Sequence, residues 1–275
     1  MIFDLIRYMG QRLLRKDNLR VLMYHSVSGD GRRDDLTVDA GQLEAQFRYL
    51  RTHGYSTIQL SELIAAAEGN GSLPAKPVLV TFDDGFKDIL EIVYPLAEQY
   101  RIRINLFVVP AFIHQGEYRG LPCLTAEDIR RMDPDLVEIG LHSFDHRSYA
   151  ELNPFRLAAD LELSMMALSA MDLPYQPCLA YPFGAYPRRK GLDQSTLFEV
   201  LEDKGISLAF RIGNRINPFP LKHRFLVQRL DITGHDTLRT FQWSLAVGKK
   251  WVRLISPLLR TKADARWSVM QEAHG

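Results

Sequence analysis

The stretch PVLVTFDDG, residues 77–85, decides how the rest of this chain is read. Its apolar run has the character of a strand buried on both faces, and it ends in two adjacent carboxylates, Asp83 and Asp84, followed by Gly85. Unpaired buried charge is costly, so two carboxylates at the rim of a core either face cations or mark a place where chemistry is done. Successive strand residues point to opposite faces, so Asp83 and Asp84 share a site only if the chain bends at that point. Gly85 permits such a turn.

Outward from this strand the pattern repeats. Further strand-like runs fall at LRVLMY (19–24), INLFVV (104–109), LVEIGL (136–141), CLAYPF (178–183), SLAF (207–210) and FLVQRLDI (225–232). Helical patterns lie between many of them, at 40–54, 87–100, 125–132, 154–171 and 195–205. Gly54 and Gly205 stand where a glycine just past a helix end is expected. Repeated strand–helix units predict an α/β fold with a mostly parallel sheet covered on both faces. A chain of 275 residues, 46% hydrophobic and 24% charged, is long enough for one such domain and excludes the disordered and membrane-spanning classes. A formal net charge of +1 gives no case for nucleic acid as a partner. Cys123 and Cys178 are too few for a disulfide scaffold; they suit a reducing compartment or a single bridge.

The unusual polar residues fall at strand ends. His25 follows the first strand, Asp83 and Asp84 close the second, His142 follows LVEIGL, and YPFG closes CLAYPFG. The C-terminal ends of strands form the face where α/β barrels place their active sites. In HSFDH, His142 and His146 are four residues apart, a spacing read as one side of a helical turn. A carboxylate from another strand end completes a two-histidine, one-carboxylate site suited to zinc or another divalent transition metal.

TFDDG, HSFDH and AYPFG, in this order and with VLMYHSV before them, resemble the motifs of the NodB-homology polysaccharide deacetylases, carbohydrate esterase family four. The early YH resembles the branch that includes poly-N-acetylglucosamine deacetylases. The resemblance covers roughly residues 20 to 235 and implies a distorted, incomplete (β/α) barrel. It implies Asp83 as catalytic base, with Asp84, His142 and His146 as ligands of a divalent metal, zinc first and cobalt, nickel or iron as alternatives. It further implies His25 as catalytic acid and the backbone N–H of Phe183 as an oxyanion donor. Tyr24, Tyr181, Pro182, Gly184 and Arg229 are expected to bind substrate. The implied reaction is hydrolysis of an N-acetyl group on an amino sugar, in a polysaccharide or a lipid-linked glycan. A different metal-dependent amidohydrolase and a silent carbohydrate-binding protein are the alternatives.

Two departures from the family pattern stand out. Ala180 occupies the place of the arginine in the usual RxPxG motif, and Arg229 is the candidate replacement, paired with Asp83 or Asp231. No C-terminal acid motif is evident, which makes His235 the runner-up to His25, while His53 reads as a helix cap.

The expected domain division is an N-terminal amphipathic helix over 1–18, the deacetylase domain over 19–235 and a basic amphipathic helical extension over 236–275. Both ends are read as helices docked on the domain, with in-plane binding at a membrane surface as the alternative. No signal-peptide pattern is read at the N-terminus, so the expected location is cytoplasmic, peripheral at the inner face of the membrane.

Overall fold

The computed structural model of the chain describes residues 18–187 and 192–252. The expected N-terminal helix, and the part of the C-terminal extension beyond Val252, lie outside the described residues. Seven strands form the frame: β1 (Arg20–Tyr24), β2 (Pro77–Asp84), β3 (Ile104–Val108), β4 (Val137–Leu141), β5 (Cys178–Ala180), β6 (Leu208–Ile212) and β7 (Val227–Asp231). They are the seven runs read from the sequence. All pair in parallel in the ring order β1-β7-β6-β5-β4-β3-β2, and β2 closes it by pairing with β1 from Arg20↔Val78 to Tyr24↔Phe82. The closed ring has seven strands, one fewer than a full (β/α) barrel, and a short eighth strand, Ser56–Ile58, pairs in parallel with the start of β2 outside the ring.

Helices cover the outside: α1 (Ala40–Thr52), α2 (Leu60–Ala67), α3 (Tyr94–Tyr100), α4 (Pro154–Ala170), α5 (Leu192–Asp203) and α6 (Leu238–Val247). Their starts are written in the sequence. Asp39 accepts the N–H groups of Gly41 and Gln42 at the head of α1, and Asn153 accepts that of Arg156 at the head of α4. His53 caps α1 at its other end, its Nδ1 3.0 Å from the Tyr49 carbonyl. The extension expected to begin at 236 is continuous with the domain. Phe241 and Leu245 of α6 are fully buried in the main core, and Arg20 of β1 donates from Nε to the Leu245 carbonyl at 2.8 Å.

Strand periodicity divides the core into two layers. Leu22, Val78, Val80, Phe82, Leu106 and Val108 point outward against the helices. Val21, Leu79, Phe107, Cys178, Ala180, Phe210 and Val227 fill the barrel interior. The rings of Phe107 and Phe210 meet there at 5.3 Å. Gly140 makes room for them: a Cβ at that position would lie 2.8 Å from Phe107 Cε1 and 2.9 Å from the Cys178 carbonyl. Both cysteines are buried and free, so the single bridge considered from the sequence does not form.

Candidate active site

The alternation that fills the interior also builds the site. Residues of the inward parity at the C-terminal ends of β1, β2, β4 and β7 are His25, Asp83, His142 and Arg229, and all four line one cleft of about 780 Å³. The bend required between Asp83 and Asp84 is present. Asp84 adopts φ 71° and Gly85 φ 77°, and Gly85 N–H returns to the Asp83 carbonyl at 2.9 Å. A non-glycine residue in this left-handed region costs about 1–3 kcal/mol, strain of a kind that gathers at functional sites. Ser143 (φ 62°), His146 (φ 63°) and Phe183 (φ 58°) share it.

The HSFDH segment is not the helical turn expected from its spacing. It is a loop, bent by Ser143 and His146, and it still brings the two imidazoles to a centroid distance of 5.0 Å. Asp84 Oδ1 lies 3.5 Å from His142 Nε2 and 3.3 Å from His146 Nε2. The three donor atoms all lie within 4.8 Å of one another. Donors bound tetrahedrally at zinc distances stand about 3.3–3.4 Å apart, so this set fits such an ion with little adjustment. Asp84 Oδ1 is buried and has no hydrogen-bond partner among the described residues, which is costly for an oxygen with nothing to bind. His142 Nδ1 lies 2.8 Å from the Ala180 carbonyl, an arrangement that places the ring proton on Nδ1 and leaves Nε2 free as a ligand.

Electrostatics agree with the donor set. Burial lowers His142 to about 4 and His146 to about 3, so both rings are neutral near pH 7. Burial, then the adjacent charge of Asp83, pushes Asp84 up to about 7, as expected of a carboxylate built to face a cation.

Asp83 is treated differently. Burial alone would raise it, but Arg229 and then His142 outweigh that and hold it at about 2. Arg229 donates from both terminal nitrogens, to Oδ1 at 2.6 Å and to Oδ2 at 2.7 Å. Its side chain is 1% exposed and lies over the Phe107 ring at 5.6 Å, so it is neither a surface ion pair nor a group reaching for substrate. It replaces the guanidinium missing at Ala180, and of the two partners considered for it, Asp83 is the one it clamps.

His25 Nε2 stands 4.0 Å from Asp83 Oδ2. Burial lowers its pKa, while the charges of Asp83 and Asp231 act to raise it. His235, the runner-up, sits on the rim with 68% of its side chain exposed and pairs with Asp35 at 3.5 Å, away from the carboxylate pair.

The expected substrate contacts are corrected in part. Tyr24 is fully buried on the outward parity of β1. Its hydroxyl donates to Gln46 Oε1 at 2.7 Å and its ring stacks on Phe82. Tyr181 is buried as well, donating to the Phe225 carbonyl at 3.0 Å and stacking on Tyr186. Both belong to the core, as does buried Pro182. Gly184 does line the cleft, and Phe183 stands 58% exposed with its ring edge against His146 at 4.5 Å. Two contributions escape sequence reading. Tyr118 and Arg119 reach the cleft from a short hairpin, and Lys249 from beyond α6, where it donates to Asp236 at 2.6 Å. The only local signal for the hairpin is Gly120, placed for a tight turn (φ 76°).

Comparison with known proteins agrees with this geometry. The family model described as polysaccharide deacetylase matches residues 70–201. The poly-beta-1,6-N-acetyl-D-glucosamine N-deacetylase of Staphylococcus aureus (strain MRSA252) is 23% identical over 180 residues, covering 62% of each chain. The structure of the Streptococcus pyogenes deacetylase PplD in complex with acetate superposes with a TM-score of 0.71 at 18% identity, over 83% of this chain and 98% of that one. IcaB from Ammonifex degensii gives 0.67 at 25% identity, over 85% and 97%. The chain spans 57–62% of the length of the curated relatives it matches.

The fold is that of the NodB-homology polysaccharide deacetylases, and the resemblance read from the motifs holds. Within that class the chain resembles the branch with an early YH motif, to which poly-N-acetylglucosamine deacetylases belong. His25 and Arg229 lie outside the matched 70–201, so the first and last barrel strands supply what the matched span lacks.

Proposed function

We propose that this protein is a metal-dependent N-deacetylase that removes acetyl groups from N-acetylated amino sugars of a glycan. The observation that carries the reading is the juxtaposition in one cleft of Asp84, His142 and His146, as a compact donor set, with an Arg229-clamped Asp83 and with His25. Asp84, His142 and His146 would hold a divalent transition metal, zinc first. When bound, such an ion supplies Lewis acidity, lowering the pKa of a water and polarising an amide carbonyl.

The remaining work falls to the chain's own groups. Asp83, kept ionised by Arg229, removes a proton from the attacking water as its oxygen adds to the acetamide carbon. The N–H of Phe183, a left-handed residue that lines the cleft, would donate to the developing oxyanion. His25 delivers a proton to the amine nitrogen as the C–N bond breaks, leaving acetate and a free amino sugar. Exposed Phe183 and the Tyr118 ring, which stacks on Phe112 at 3.9 Å, offer faces for sugar rings.

The test is acetate release from N-acetylglucosamine oligomers, by the chelated protein and after zinc, cobalt or nickel is returned, beside Asp83→Asn. Release that returns with metal and is lost in the variant is the expected result. No release from metal-loaded protein, with turnover of a ureide or cyclic imide instead, would move the assignment to another amidohydrolase.

Cytoplasmic action at the inner face of the membrane, on a lipid-linked glycan, remains part of the proposal. Leu238, Trp243 and Trp251 are exposed apolar side chains in and beside α6, while no helix among the described residues is long and apolar enough to cross a membrane. Failure of the full chain to sediment with anionic liposomes would refute this part.

A further inference from the structure

Asp160 is a buried carboxylate on α4 that lines no part of the cleft and takes no part in the chemistry above. Both of its oxygens face the loop that carries His142 and His146. Phe144, between the two histidines, donates its backbone N–H to Oδ1 at 3.2 Å and to Oδ2 at 3.3 Å. Tyr149, fully buried just past the loop, donates its hydroxyl to Oδ2 at 2.6 Å. The Phe144 carbonyl is fixed from the other side by the N–H of Ala111 at 3.0 Å, and Arg147 N–H bonds to Ser143 Oγ at 3.0 Å.

We infer that Asp160 is the positioning residue that holds His142 and His146 in ligating geometry, acting through the Phe144 peptide. The inference rests on the metal-dependent reading above. Ser143 and His146 are both left-handed, and two such residues within five cost about 1–3 kcal/mol each, a conformation that lasts only where the surroundings over-determine it. Phe144 lies between them: Asp160 holds the N–H of the Ser143–Phe144 peptide, and Ala111 holds the carbonyl of the next peptide, Phe144–Asp145. The Asp160 grip is the one on the peptide that follows left-handed Ser143, and it engages both carboxylate oxygens, at 3.2 and 3.3 Å. Without it the peptide can rotate, and rotation carries the His146 ring away from Asp84 Oδ1. His142 is anchored separately through Ala180, so His146 is the ligand whose place depends on Asp160.

The experiment compares the wild type with Asp160→Ala, Asp160→Asn and Tyr149→Phe in the full chain. Zinc affinity is measured by competition with a chromophoric chelator, and the visible spectrum of the cobalt-loaded protein is recorded, both at a temperature where circular dichroism shows each variant folded. Asp160→Ala is expected to weaken zinc binding about 10–100-fold and to alter the cobalt bands. Asp160→Asn keeps an oxygen that accepts the Phe144 N–H and is expected to stay near the wild type, as is Tyr149→Phe. A merely structural Asp160 would lower the unfolding temperature and leave both metal readouts unchanged. Folded Asp160→Ala with wild-type zinc affinity and cobalt spectrum would overturn the inference. If the alanine variant does not fold, Asp160→Ser, whose hydroxyl is too short to replace the carboxylate, is read in the same way. Wild type that binds neither zinc nor cobalt would overturn the metal reading itself, and this inference with it.

Discussion

Arg229→Met keeps much of the side-chain volume at the floor of the cleft but strips Asp83 of both guanidinium donors, at 2.6 and 2.7 Å. Asp83 is then an unpaired carboxylate at 1% exposure. Breaking a buried ion pair from one side costs about 3–5 kcal/mol, because the remaining charge stays desolvated. The pH dependence gives a sharper signature. In the wild type the Asp83 pKa is about 2 against an ordinary 3.8. At 1.36 kcal/mol per unit, this contributes about 2 kcal/mol to stability, present above pH ~4 and lost as pH falls toward 2. In Arg229→Met burial dominates and the folded pKa moves above 3.8, so the sign reverses and Asp83 destabilises the fold increasingly as pH rises from ~4. Urea unfolding between pH 3 and 8 of both chelated proteins, each carrying Asp84→Asn because Arg229 also acts on the Asp84 carboxyl, measures the difference. The penalty should grow with pH, and Asp83→Asn placed on top of Arg229→Met should recover part of it by removing the buried charge. A penalty under about 1 kcal/mol at pH 7, or one flat across the range, would refute the reasoning.

The other tests are shorter. On the proposed role of His25 as general acid, His25→Gln should lower kcat by about 10²–10⁴ while zinc affinity stays unchanged, because His25 is outside the proposed donor set. His235→Gln, altering an exposed rim residue, should leave kcat near the wild type, and the reverse ranking would exchange their roles. Gly140→Ala drives a methyl to within 2.8 Å of the Phe107 ring and should destabilise the barrel by about 1–3 kcal/mol in thermal unfolding. A wild-type melting temperature for that variant would show that the interior has slack.

Much of this protein is legible in the order of its residues. The seven apolar runs became the seven barrel strands because period-two alternation and buried strand composition act over five or six residues, within reach of sequence reading. The pairing of Asp83 with Asp84 already required a bend, and the bend is there at φ 71°. The same parity rule carried more than was taken from it. Tyr24 and His25 are neighbours, so an inward His25 obliges Tyr24 to face the helices, where it bonds Gln46. Tyr181 likewise turns away from the cleft into the core, against Tyr186.

The sequence by itself determined the barrel strands, the chemical inventory at their C-terminal ends and the class of reaction these groups suit. Only the tertiary structure decided the partnerships. Arg229 meets Asp83 across 146 residues because ring closure brings β7 beside β1 and faces their inward side chains toward β2. The HSFDH loop takes a non-helical path, with Asp160 and Ala111 holding the Phe144 N–H and carbonyl from two different helical segments. The cleft acquires Tyr118, Arg119 and Lys249 from segments with no motif of their own. Alternation fixes which residues share a face, but which face becomes the interior, and what lies across it, is set only when the strands close on one another.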